Sequence, residues 1–227
     1  MDIALYHQER GAGAPLVLLH GNGEDGGYFI HQIEYFSKSY RVLAVDTRGH
    51  GRSPRGTAPF TLGQFAADLG EFLTGLGLER VLLLGFSDGA NIALRFALDH
   101  PEQVRALVLN GGNLSPAGVR RRTQWPIELG YRIARRFAGR SEEARRHAEL
   151  LGLMVLEPQL RPSDLAGLRV PTLVIAGTRD MIREAHTRQI AAAIPGAALK
   201  ILPGNHFVAH KNPEAFNRAV AEFLNTV

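Results

Sequence analysis

Short apolar runs alternate with helix-like stretches along most of the chain, and this alternation constrains the fold more than any other feature. The runs are Ile3–Gln8, Leu16–Leu19, Arg41–Val45, Val81–Phe86, Ala106–Leu109, Thr172–Ala176 and Ala198–Leu202. Most are near-continuous in Val, Leu and Ile. Strands of that kind need cover on both faces, the condition met in parallel sheets joined by helical crossovers. Between them, Tyr28–Ser37, Leu62–Leu76, Ala90–Asp99, Arg183–Ile194 and Pro213–Leu224 read as helices. Phe65, Leu69, Phe72 and Leu76 repeat on one helical face, and Thr61 with Gln64 has the spacing of a capping box. Asn212-Pro213 supplies a cap and a first-turn proline, and His100-Pro101 closes the Ala90–Asp99 helix. The pattern predicts an α/β fold with a mostly parallel sheet of about seven strands flanked by helices.

One region breaks the alternation. From Leu114 to Leu168 no strand pattern appears, and two amphipathic helices fit instead. In the first, Ile127, Tyr131, Ala134 and Phe137 share a face opposite Arg132, Arg135 and Arg136. In the second, Ser141 is the cap, Glu142 and Glu143 suit the positive helix end, and Ala144, Ala148, Leu151 and Val155 align. This predicts a short helical lid over residues 114–168, inserted into a core of residues 1–113 and 169–227. The apolar lid face suits either a site beneath it or a second subunit, so the oligomeric state stays open.

The 227 residues suffice for one large domain or two small ones. The absence of cysteine excludes disulfides, thiolate metal sites and a cysteine nucleophile. No apolar run approaches the roughly 18 to 20 residues of a membrane span. The opening Met1-Asp2-Ile3 carries an acid and no basic stretch, which does not read as a signal peptide. A cytoplasmic protein with no membrane partner is expected. The net charge of +4 comes largely from arginines between Arg120 and Arg146, without aromatic–basic interleaving or a nucleic-acid motif. No nucleic-acid partner is therefore expected.

The chemistry concentrates where a strand pattern gives way to a helix pattern. Gly85-Phe86-Ser87-Asp88-Gly89 fits G-x-S-x-G in its meaningful context, strand before and helix after. Glycines relieve the crowding of so tight a turn and leave the serine hydroxyl exposed at the helix N-terminus, where negative charge is favoured. A serine needs a base, and the base an orienting acid. His206 follows the last strand candidate, at the same sheet edge as Ser87; His210 is the next choice. Asp180 follows the strand before that through Gly177-Thr178-Arg179, its plainer alternative being a helix cap. The order Ser87, Asp180, His206 is that of one hydrolase class. His20-Gly21-Asn22-Gly23 makes a tight turn after another strand. The N–H of Asn22, with that of Asp88, is the expected oxyanion hole; Gly21 and Gly23 are alternative donors, and the Asn22 side chain has a turn cap as its other reading.

With these motifs in order, the chain resembles the α/β-hydrolase superfamily. HGNG, DTRGHGRS (Asp46–Ser53), GFSDG, GTRD and the late His206 carry the resemblance over residues 15–227. It is similar to the small esterase and C–C-hydrolase-like members with a short helical lid. The resemblance implies an α/β-hydrolase fold in which Asp46, Arg48 and His50 are scaffold, with substrate contact as their other reading. It also implies a small-molecule acyl substrate, a carboxylic ester or relative, cleaved through an acyl-enzyme with no metal and no cofactor. C–C bond cleavage, lactone opening, and perhydrolysis or acyl transfer are alternatives on the same residues, and a triad-bearing binding or signalling protein with little turnover is another. Two departures stand out: only one clear strand precedes the strand leading into HGNG, and the lid is brief and arginine-rich, which argues against large lipid substrates. The aspartate behind the serine resembles the valacyclovir-hydrolase-like members, implying that Asp88 pairs with a substrate ammonium; the plainer reading is a carboxylate at a helix N-terminus. The run Arg120-Arg121-Arg122 reads as a solvated face, or as an attraction for acidic substrates.

Overall fold

The computed structural model describes residues 2–227. The chain runs through β1 (His7–Arg10), β2 (Pro15–Leu19), α1 (Ile30–Phe36), β3 (Arg41–Val45), α2 (Leu62–Gly75), β4 (Val81–Phe86), α3 (Asp88–Asp99) and β5 (Val104–Asn110). The helices α4 (Arg121–Phe137) and α5 (Glu142–Leu156) follow. Then come β6 (Thr172–Arg179), α6 (Glu184–Ala193), β7 (Ala198–Asn205), α7 (Val208–Lys211) and α8 (Pro213–Leu224). The seven strands form one sheet in the order β1-β3-β2-β4-β5-β6-β7. Only β1 runs antiparallel to its neighbour; the other pairs are parallel. This is the α/β-hydrolase architecture expected from the alternating pattern.

The apolar runs are doubly covered, as their composition requires. Successive strand residues face opposite ways. Val17, Leu19, Leu43, Val45 and Leu83 therefore pack with Phe65, Leu69 and Phe96 on one side of the sheet. Leu16, Leu18, Ala44, Leu82 and Leu84 pack with Phe29, Phe36 and Phe216 on the other. All of these side chains are buried. Among the described residues, no helix is long and apolar enough to cross a membrane.

Several elements differ from the sequence expectation. The first strand is His7–Arg10, not Ile3–Gln8. Asp2 draws the preceding segment away, accepting from Arg48 and from the backbone of Thr57 and Ala58. Those donors hold its carboxyl well below the usual range. Thr61 caps α2 through Gln64 N, but the Gln64 side chain donates to Asp68, so the reciprocal half of the capping box is not formed. Asn212 precedes Pro213 as foreseen, yet its side chain donates to the Pro203 carbonyl and caps nothing. The Tyr28–Ser37 stretch opens as a 3₁₀ turn over Gly26–Phe29, capped by Asp25, before α1 begins. Strands β6 and β7 run on through Gly177 and Pro203-Gly204 to Arg179 and Asn205.

Helices α4 and α5 pack on each other between β5 and β6, with Gln124 donating to the Met154 carbonyl at 3.1 Å. Ser141 caps α5 by accepting from Ala144 N. Ile127, Tyr131 and Ala134 are half-buried, but Phe137 is exposed, with the Arg140 guanidinium over its ring. Side chains in α5 and just past its end are tied to the core. Arg55 donates to both carboxylate oxygens of Glu149 at 2.9 and 2.7 Å, and Glu157 accepts from Leu62 N at 2.8 Å.

Candidate active site

Ser87 occupies the turn between β4 and α3 with φ 53° and ψ −118°. It is the one non-glycine residue of positive φ among the described residues. Such a conformation is costly for an L-residue and persists only where its surroundings over-determine it. Two absences of side chain do this. A Cβ on Gly85 would strike the Gly89 carbonyl, and one on Gly89 would strike the Leu19 carbonyl. Helix and strand can therefore approach closely only with glycine at both positions, and the intervening residue is pushed outward. From Val81 to Leu94 every residue is buried except Ser87.

The Ser87 hydroxyl meets His206, whose Nε2 lies 3.0 Å from Ser87 Oγ. On the far side of the ring, Nδ1 lies 2.7 Å from Asp180 Oδ1. His206 and Asp180 are both buried, and Asp180 Oδ1 also accepts from Ile182 N at 2.9 Å. An ionised carboxylate only accepts, so Nδ1 carries the hydrogen and Nε2 is left to accept from the serine. Phe86 lies against the imidazole, with ring centroids 4.9 Å apart. His210 is not part of this hydrogen-bonded line; its ring lies among Tyr28 and His31. Gly111 has a role that sequence reasoning missed. Its φ is +65°, and a Cβ there would lie 2.8 Å from His206 Cε1. The signal was its place at the end of β5, the strand next to β4.

The turn after β2 is fixed by two side chains. Thr47 N donates to His20 Nε2 at 3.0 Å, so Nδ1 bears the hydrogen and donates to the Gly21 carbonyl at 2.7 Å. The Gly21 N–H is taken by Glu24 Oε2 at 3.2 Å, which removes Gly21 from the candidate donors. The Asn22 side chain does not cap this turn: its Nδ2 donates to Asp88 Oδ2 and to the Leu150 carbonyl in α5. Asp88 is the first residue of α3, so its N–H has no intrahelical acceptor. Its side chain is buried and also accepts from Asn91 at 3.4 Å.

The family described as alpha/beta hydrolase fold matches residues 14–131, more than half of the chain. The chain belongs to the alpha/beta hydrolase family. A Caulobacter sp. (strain K31) protein named "Putative carbamate hydrolase RutD" is 28% identical over 256 residues, covering 97% of this chain and 96% of that one. A hydrolase from Pseudomonas aeruginosa PA01 is 28% identical with a TM-score of 0.81, covering 98% of this chain and 94% of that one. The enol-lactonase from Burkholderia xenovorans LB400 shares the fold at 24% identity and a TM-score of 0.82, over 98% and 97% of the two chains. By family and by these full-length likenesses, this alpha/beta hydrolase is an enzyme.

Burial governs the electrostatics of the hydrolase's site. It pushes the Glu24 carboxyl up to about 7, against the pull of the Gly21 N–H. It also raises the Tyr28 hydroxyl, whose oxygen is buried without a partner among the described residues, with the charges of Glu24 and Asp180 adding to the effect. Asp88 is raised by burial, with the Asn22 hydrogen bond opposing. His20 is lowered by burial, and His50 is pushed down to about 4 by burial and by His20. The Asp46–Ser53 stretch is scaffold in this hydrolase. Asp46 accepts from Gly26 N and Arg52 N, and the fully buried Arg48 is paired with Asp68 at 2.7 and 2.6 Å. Arg120 is also structural, its Nε donating to the Asp180 carbonyl at 2.7 Å, while Arg121 and Arg122 are exposed.

Proposed function

We propose that this hydrolase cleaves a small carboxylic ester or related acyl substrate with Ser87 as nucleophile, His206 as base and Asp180 as orienting acid. The observation that carries the reading is the continuous hydrogen-bonded line from Ser87 Oγ through the imidazole to Asp180, at 3.0 and 2.7 Å. As Ser87 attacks the acyl carbonyl, its proton passes to His206 Nε2 and the buried Asp180 stabilises the imidazolium. The N–H groups of Asn22 and Asp88 receive the oxyanion, aided by the α3 N-terminus. His206 then gives the proton to the leaving group, and water, activated by the same imidazole, releases the acyl group. No step calls on a metal or an organic cofactor. The absence of cysteine supports placing the enzyme in the cytoplasm.

The Asp88 side chain supports a structural reading over ammonium binding, because its two oxygens already accept from Asn22 and Asn91. Carbamates are a second substrate class for the same residues, supported by the name of the full-length Caulobacter relative. Attack by Ser87 would then form a carbamoyl-enzyme. The test is covalent labelling of Ser87 by a fluorophosphonate, with turnover of p-nitrophenyl esters and aryl carbamates. Ser87→Ala should fold normally and lose both labelling and turnover. A variant keeping more than a few per cent of activity removes Ser87 as nucleophile, and labelling without repeated turnover favours a binding or signalling role.

A further inference from the structure

One side chain joins the turn after β2 to the elbow after β4. The Asn22 carboxamide nitrogen carries two hydrogens and spends both. One goes to Asp88 Oδ2 at 2.9 Å, the other to the Leu150 carbonyl at 2.8 Å. Asp88 is itself held, because Asn91 Nδ2 donates to its other oxygen and to Asn113 Oδ1, while Asn113 N donates back to Asn91. Asn22 is thus tied to a fixed group on one side and to α5 on the other. The residue before Leu150 is Glu149, which takes the two-pronged bond from Arg55. The middle of α5 is thereby fastened through consecutive residues to the segments that follow β2 and β3.

We infer that the Asn22 side chain is a positioning group that aligns the two oxyanion donors, the N–H groups of residues 22 and 88, and makes their alignment depend on α5 being seated. This rests on the reading of Ser87 as nucleophile. Oxyanion donors act only when aimed at the site of developing charge, and a small misplacement costs rate. The two donors lie 66 residues apart in sequence. The bond between their own side chains is 2.9 Å long and part-buried, which favours one relative placement of the two turns. If α5 lifts, one Asn22 hydrogen loses its acceptor and the carboxamide is held at Asp88 alone. The insertion would then govern the chemical step without touching the reacting atoms.

The test is steady-state kinetics on a short-chain p-nitrophenyl ester, with binding of a trifluoromethyl ketone that forms a tetrahedral adduct at Ser87. Asn22→Ala should lower kcat about tenfold, a share of the ~10²–10³ that one oxyanion donor is worth. KM should stay within about twofold, because the lost interaction belongs to the transition state. Affinity for the ketone should fall by the same factor as kcat/KM, which a merely structural role would not produce. Glu149→Gln, which loosens α5 from outside the site, should lower kcat in the parent and add nothing in Asn22→Ala. Should Asn22→Ala fail to fold, Glu149→Gln decides alone: kcat and ketone affinity must fall together at unchanged KM. A parent-like kcat in Asn22→Ala, or additive losses in the double variant, overturns the inference while Ser87 still labels with a fluorophosphonate. A parent protein that does not label at Ser87 overturns both readings.

Discussion

Arg179 and Asn205 face each other at the last register pair of β6 and β7. The residues just past the two strands are Asp180 and His206, so these two leave the sheet side by side, and their 2.7 Å contact follows from strand geometry. Ser87 arrives from β4, with β5 and β6 lying between it and β7. The imidazole therefore has to reach back across the end of β5, where Gly111 leaves it room.

Gly111→Ala should separate the histidine from the serine. The added carbon would lie 2.8 Å from His206 Cε1, at a φ of +65° that alanine resists. Displacing the ring by about 1 Å is expected to cost on the order of 10²-fold in kcat. Stopped-flow acylation by p-nitrophenyl acetate would measure it. A variant with the parent's acylation rate would show that the ring has slack this geometry does not grant.

Opposite pH dependences of stability are expected at Glu24 and His50. The folded Glu24 carboxyl sits at about 7 against its ordinary 4.5, so its contribution is present below 4.5 and lost as pH rises through 7. Glu24→Gln should gain stability relative to the parent across that window. The folded His50 sits at about 4 against 6.5, so its contribution is present above 6.5 and lost as pH falls through 4. His50→Gln should flatten the acid side of the curve. Urea unfolding from pH 4 to pH 8 reads both effects, and parallel curves for parent and variants would refute them.

Asp88→Asn should depress hydrolysis of α-amino esters and of plain acyl esters by similar factors. Both carboxylate oxygens already accept from neighbouring carboxamides. Replacing one oxygen by NH₂ sets donor against donor at Asn22 or Asn91, a mismatch that costs about 1–3 kcal/mol when buried. The ratio of kcat/KM between the two ester classes decides. A selective loss on amino esters would instead assign the carboxylate to a substrate ammonium.

The meeting of Ser87, Asp180 and His206 was legible because each follows an apolar run, and parallel strands bring their carboxyl ends to one edge. The elbow was readable because Gly85 and Gly89 mark a steric requirement within five residues. The strand ends at Arg179 and Asn205 were masked by Gly177, Pro203 and Gly204, which locally read as turn. The partners of Asn22 lie 66 and 128 residues away, so no local pattern could assign its side chain. The first strand was misplaced for a like reason. It starts at His7 because its partner there, Val45, is the last residue of β3, and no periodicity in the first segment encodes that.

The backbone angle at position 87 also bears on durability. A glycine there would adopt φ 53° at no steric cost, whereas any side chain must be forced into it. On steric grounds glycine suits this turn better than serine. On the proposed role of Ser87 as nucleophile, position 87 is a compromise between persistence and reactivity, and the strand and helix on either side bear the difference.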